Sequence, residues 1–211
     1  MSPTQTSAAR RRQTCNSSHV SVRALTRLHL CAVTEAPEVR IRHVAAFLAF
    51  TPMSRRVGNR LQIRFEHGPT AMWLTEALAS KHVRLLEVGA GGGLVDVATP
   101  QIVLGRYGFR DGRWFFGRGM AAAEGVSRGA IHAAGVFDGH GLKVASPSAP
   151  MMLTLTAVLA RLGINAKLTE GEPRAAIAPA DVPAALEQLG IAAVAEEYRR
   201  IRETKTSGDR A

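Results

Sequence analysis

An internal duplication constrains this chain more than any other feature. The stretch Ser127–Gly139 (SRGAIHAAGVFDG) has a degenerate counterpart at Val39–Pro52 (VRIRHVAAFLAFTP). Each reads as a short helix with small residues at helical spacing, Ala130 and Ala134 in one and Ala45 and Ala49 in the other. Two such helices can pack backbone to backbone, because nothing bulky holds them apart. Further along, Leu142, Val144, Pro150, Leu155 and Leu159 repeat Leu61, Ile63, Pro69, Leu74 and Leu78 in the same order and at one constant offset. With a small slip in register, Leu186–Ile191 then answers Leu104–Phe109. Self-similarity at a fixed period is the mark of a fold built from repeated units. A chain of 211 residues holds two such halves closed around a common seam.

Composition narrows the classes. Charges interrupt every apolar run before it reaches the roughly 18 residues a membrane span requires, so a soluble chain is expected. Cys15 and Cys31 both lie outside the repeat, which provides neither a disulfide framework nor a four-cysteine zinc site and suits a reducing cytoplasm. The net charge of +10 and a pI near 10.9 favour an acidic partner, most simply nucleic acid, since clustered Arg and Lys release phosphate counterions on binding. Arg10, Arg11, Arg12, Arg23 and Arg27 precede the first acid, Glu35, so the body of the chain is only mildly basic.

Residues 1–20 are rich in Ser, Thr and Arg without apolar periodicity, and read as a disordered basic arm. An Arg-rich transit peptide or an upstream start codon would give similar composition, although no amphipathic Arg-bearing helix is visible there. The ordered domain is expected over 21–205, with repeat one at about 39–109, a linker over 110–126, repeat two at about 127–191, a terminal helix over 192–205 and a frayed tail over 206–211. Within repeat one, Gly58-Asn59 is a hairpin signal followed by strict alternation. Leu61, Ile63 and Phe65 face one way, and Arg60, Gln62 and Arg64 the other. Such a face is either plainly solvated or a sheet surface that tracks a nucleic-acid groove. Lys143 and Lys167 alternate in the same way with Val144 and Leu168, and Asn165 adds a polar group.

The glycine string in LLEVGAGGGL (85–94) resembles the cofactor loop of S-adenosylmethionine-dependent methyltransferases. That loop must open a helix, whereas Val95–Ala98 is strand-like and Pro100 follows. The repeat also sets Gly89–Gly93 opposite the polar turn Thr169–Pro173, so a hairpin is expected in both halves. Trp114, Phe115 and Phe116 in the linker read as a cover for the core. Asp138 and His140 read as a turn, because no further metal ligand stands near them in sequence.

Each half reads helix, strand, strand, helix, strand, strand, helix. Two αββαββα units meeting through small-residue helices resemble the LAGLIDADG homing-endonuclease fold, an α+β architecture. The resemblance is closer to the WhiA regulators of sporulation and cell division, whose N-terminal part looks like an inactive homing endonuclease. It rests on VRALTRL (22–28), GFRDGRW (108–114), GRGM (117–120), SRGAIHAAG (127–135), SPSAP (146–150), ARLGINAK (160–167) and EEYRRIRE (196–203).

In active relatives the ends of the two seam helices carry acids that hold Mg²⁺ for phosphodiester cleavage. Matching the motif puts His132 and Ala134 at those positions in one copy and Thr51 in the other. The resemblance therefore implies a non-catalytic, DNA-associated transcription regulator without metal or cofactor, cytoplasmic and nucleoid-associated. Its DNA-contacting residues would be Arg60, Gln62, Arg64, Lys143, Asn165 and Lys167. Regulatory protein partners are the alternative, and a nuclease or methyltransferase the weaker one. The helix-turn-helix region of the WhiA regulators is not expected within the 211 residues.

Overall fold

The computed structural model describes residues 22–52, 54–89, 91–169 and 171–208. The disordered arm expected over 1–20 and the last three residues of the tail lie outside them. Residues 22–32 form a first helix, α1. The first repeat follows as α2 (Pro37–Phe50), β1 (Ser54–Val57), β2 (Arg60–Phe65), α3 (Gly68–Leu78), β3 (Val83–Gly89), β4 (Gly92–Ala98) and α4 (Pro100–Gly105). A short hairpin, β5 (Phe109–Arg110) and β6 (Arg113–Trp114), links it to α5 (Met120–Ala134), β7 (Gly135–Asp138), β8 (Gly141–Ala145), α6 (Ala149–Arg161), β9 (Ala166–Leu168), β10 (Arg174–Ile177) and α7 (Val182–Gln188). A last helix, α8 (Ala192–Gly208), packs on α7.

The two halves have the same topology. The strand order is β1-β2-β4-β3 in one four-stranded sheet and β7-β8-β10-β9 in the other, all antiparallel. Each sheet buries one face, through Ile63, Phe65, Val95 and Val97 in the first and Leu142, Val144, Ala175 and Ile177 in the second. Period-two alternation sends the intervening side chains to the opposite face. Gly58-Asn59 turns β1 into β2, with Gly58 at φ 59°, where a residue lacking Cβ is unstrained.

Helices α2 and α5 form the seam. The structure differs here from the boundaries read in the sequence: α5 begins at Met120, inside the expected linker, and ends at Ala134, so Val136 belongs to a strand. The run MAAAEGV is rich in the best helix former, and its glycine is a point of close approach rather than a breaker. A Cβ at Gly125 would lie 2.4 Å from Val39 O, and one at Gly129 would lie 2.3 Å from His43 O and 2.7 Å from the Ala46 Cβ. Backbone therefore meets backbone at Gly125 and Gly129. Ala45, Ala130 and Ala134 are buried beside this line and Ala49 is partly buried.

The glycine string has a packing explanation. Gly89 closes β3, Gly92 opens β4, and the two strands pair directly as a hairpin. A Cβ at Gly93 would lie 2.4 Å from that of Ala71, so the glycine lets α3 lie flat on the sheet. Of the expected aromatic cover, Phe116 is buried and Trp114 packs on Phe109, whereas Phe115 is 57% exposed. No helix among the described residues is long and apolar enough to cross a membrane.

Candidate nucleic-acid interface

The open face of the first sheet is built by register. Gln62 lies opposite Arg55 on β1 and Asp96 on β4, and Asp96 lies opposite Arg84 on β3. Arg60 reaches diagonally to Asp96, with Nε to Oδ1 at 2.9 Å and a second bond from Nη2 to Oδ2. Asp96 is almost fully buried. The bidentate guanidinium, followed by weaker help from Gln62 and Arg84, holds its carboxyl below the usual carboxylate range. Arg60 is thus already engaged within the protein. Arg64 stands 3.5 Å from Glu87 in a solvated pair. Arg55 and Arg84 make no ion pair among the described residues.

On the second sheet, Lys143 and Lys167 both lie opposite Ala176, from the two neighbouring strands. Arg174 is on the same face, paired with Glu172. Lys143 donates to Asp138 Oδ2 at 2.8 Å, and Asp138 also accepts from the His140 backbone N–H at 2.7 Å. Burial would raise the Asp138 carboxyl, but the Lys143 and His140 bonds outweigh it and hold the pKa down. Asn165, just before β9, is exposed, as is Lys167. Alternation in the sequence put Arg60, Gln62, Arg64, Lys143 and Lys167 opposite the buried faces, where they stand, but did not bring out Arg55, Arg84 and Arg174 or the acids Asp96 and Glu87 that neutralise part of the first face.

Beneath the close backbone packing the seam holds a buried polar chain that sequence reasoning did not find. Glu35 Oε1 accepts from His43 Nδ1 at 2.8 Å and from Arg128 Nη1 at 3.1 Å. Arg128 also donates to the Leu189 carbonyl at 2.9 Å and pairs with Glu124 at 2.7 Å. With Nδ1 donating, neutral His43 offers Nε2 as an acceptor to His132 Nδ1, 3.1 Å away. His132 Nε2 then accepts from the Cys31 thiol at 3.6 Å or the Thr70 hydroxyl at 3.4 Å.

Every link is satisfied with both imidazoles uncharged. Burial pushes the pKa of both downwards, that of His132 well below the ordinary value. Burial likewise pushes the Cys31 thiol up to about 11, so it stays protonated. Burial alone would raise Glu35, but its bonds from His43 and Arg128 keep it ionised at a lowered pKa. The sequence signal was available: each copy of the seam motif carries one histidine, in RHV and in IHA.

At the ends of the seam helices, Thr51 caps α2 by donating its hydroxyl to Phe47 O at 2.6 Å, and Gly135 leads directly from α5 into β7. Neither supplies a carboxylate. No group of three or more His, Cys, Asp or Glu with metal-holding geometry is found among the described residues.

No family model matches the sequence, and no curated protein matches it. Solved structures do. Full-length DUF199/WhiA from Thermatoga maritima aligns at TM-score 0.64 and 13% identity over 86% of this chain and 66% of that one. The chain thus spans about two thirds of that protein's length. The N-terminal LAGLIDADG domain of DUF199/WhiA aligns at 0.58 and 13% identity over 82% of this chain and 91% of the domain. I-DmoI, solved in complex with DNA and Mn, aligns at 0.50 and 14% identity over 72% of this chain and 96% of that one. The paired seam helices and the two antiparallel sheets are therefore those of the LAGLIDADG fold, and the chain resembles the N-terminal domain of WhiA.

Proposed function

We propose that this protein is a non-catalytic, DNA-associated regulator of the WhiA type, acting in the cytoplasm on the nucleoid in transcription control of cell division or sporulation. The observation that carries the reading is the pair of open sheet faces. One presents Arg55, Arg64 and Arg84 and the other Lys143, Lys167 and Arg174, on a fold whose relative I-DmoI was solved in complex with DNA. The non-catalytic part rests on Thr51 in one copy and His132 and Ala134 in the other, at the ends of the seam helices, where cleavage would need carboxylates to bind a metal between attacking and leaving oxygens.

Binding of this kind is dominated by phosphate contacts, so its affinity belongs in the non-specific range of roughly 10⁻⁴ to 10⁻⁶ M at physiological salt. A salt titration on one duplex tests it. Arg55→Ala with Arg84→Ala, and separately Lys167→Ala, should flatten the slope of log affinity against log salt by about 0.9 for each phosphate no longer neutralised. Asp96→Asn should steepen it, because Arg60 then loses its carboxylate partner. Unchanged slopes in all three, or no retention of the wild type even at low salt, mean that the sheet faces are merely solvated and refute this reading. Reproducible Mg²⁺-dependent nicking of plasmid refutes the non-catalytic assignment.

A protein-interaction reading draws on α6. That helix carries no charge from Ala149 to Ala160, buries only Leu155 and Leu159, and leaves Leu153 56% exposed. Co-purification that survives deletion of the sheet-face cations but is abolished in Leu153→Lys would favour it.

A further inference from the structure

Where α1 passes the start of α3 and the end of α2, a pocket opens at the edge of the first sheet. Its lining includes Arg23 and Arg27 of α1, Arg64 of β2 and the apolar Phe47, Phe65 and Pro52. Among the described residues, the only carboxylate on its wall is Glu66, which stands 3.7 Å from Arg23 and 3.8 Å from Arg27. Charge-assisted bonds normally close to about 2.7–2.9 Å, so one acid is loosely shared between two guanidiniums. The Arg23 Nε is buried without a hydrogen-bond partner among the described residues. Arg23 and Arg27 share that one acid and Arg64 stands 3.5 Å from Glu87, outside the lining, so three arginines face two carboxylates and the wall keeps an excess of positive charge.

The neighbouring titratable groups register that excess. After burial, the positive charge of Arg23 is the next cause depressing Arg27, and that of Arg27 is the next depressing His67. His132, also in the lining, is lowered by burial, then by neighbouring His43 and then by the charge of Arg27. The C-terminal carbonyls of α2 carry partial negative charge on the same side, but one of them is already taken by the Thr51 hydroxyl. Guanidinium groups converging beside an apolar wall suit a doubly charged, compact anion attached to a flat or apolar body.

We propose that this pocket binds a phosphate group borne by a nucleotide, with Arg23, Arg27 and Arg64 holding the phosphate and Phe47, Phe65 and Pro52 receiving the base or sugar. A free mononucleotide and a backbone phosphate of DNA present the same chemistry. Arg64 also belongs to the first sheet face, whereas Arg23 and Arg27 belong to the pocket alone.

The test titrates the full chain, in phosphate-free buffer at fixed ionic strength, with inorganic phosphate, with AMP and with adenosine. Saturable binding of AMP, weaker binding of phosphate and none of adenosine are expected. Arg27→Gln should weaken AMP binding by about tenfold or more, the equivalent of one hydrogen bond to a charged group. Arg27 is largely buried, so Arg23→Gln, at a more exposed position outside both sheet faces, provides a second variant, and a melting curve confirms that each is folded.

Competition then separates the two sources. If saturating AMP lowers affinity for a duplex in the wild type but not in the Arg23→Gln variant, the pocket takes a backbone phosphate. If AMP binds and duplex affinity is untouched, the ligand is a free nucleotide. Failure of AMP and phosphate to bind, together with unchanged duplex affinity in the folded Arg23→Gln variant, overturns the proposal. That result would leave the slopes of the Arg55/Arg84 and Lys167 variants free to support or refute DNA association on their own.

Discussion

The two halves share a topology and differ in their outer layers. In the first, β3 and β4 are seven residues each, and α3 buries six side chains or glycines, Trp73 among them. In the second, β9 and β10 shrink to three and four residues, and α6 buries two side chains. The first half also has α1 beside it, tied to α3 through Cys31 and Pro69 and to Glu66 through Arg23 and Arg27. Closure of the seam and the order of the strands are common to both. What varies is how much each sheet has to cover. The fold is thus carried by the inner pair of helices, and the outer helices are free to take on different surroundings.

The largest effect is expected at the seam itself. Gly129→Leu drives a side chain into the His43 carbonyl and the Phe47 backbone nitrogen, which cannot rotate away. Destabilisation should exceed about 4 kcal/mol, in the range reserved for a small set of severe mechanisms, and chemical denaturation would measure it. A variant with wild-type stability would remove the seam from its place as the common support of both halves.

A smaller effect separates the outer layers. Trp73→Ala in α3 should cost about 3–5 kcal/mol, as for other buried aromatic truncations, whereas Leu153→Ala in α6 should stay within about 0.5 kcal/mol. Equal losses at the two positions would mean that α6 is covered as thoroughly as α3.

The smallest effect is a dependence on pH. Because burial lowers both seam imidazoles, the unfolded chain takes up protons before the folded one as the pH falls. Stability from this source is complete above about pH 6.5, the unperturbed imidazole value, and declines below it until the folded pKa is reached. Each histidine contributes at most about 1.4 kcal/mol per pH unit in that window. His132→Gln should therefore flatten the fall in stability between pH 6.5 and 5, even if it lowers stability at every pH. An identical slope in wild type and variant would show that His132 is already charged in the folded protein.

Much of this architecture was legible because repetition and alternation are both periodic signals. The helix and strand order, the Gly58-Asn59 turn, the hairpin at the glycine string and the outward set Arg60, Gln62 and Arg64 all follow from them. The first half of α5 was not, because Gly117, Gly119 and Gly125 look like a linker until a second helix is seen lying against Gly125. Asp96 was overlooked inside an apolar run, although strict alternation with Val95 and Val97 puts it on the arginine face. The Glu35–His43–His132 chain joins residues from α2, α5 and the segment before α2, and no local pattern encodes a meeting of that kind. His132 drew notice only as a residue that is not an acid.

The seam glycines have a consequence for how such a molecule could be assembled. Gly125 and Gly129 both lie on α5, and the bulk they admit, Arg42, His43, Ala46 and Phe47, lies on α2. In a symmetric homodimer each pairing occurs twice with the roles exchanged, so one helix would have to be slot and key at once. Joining the halves in a single chain lifts that demand. Each helix can then specialise, and a separately expressed second half should prefer the first half as its mate over another copy of itself.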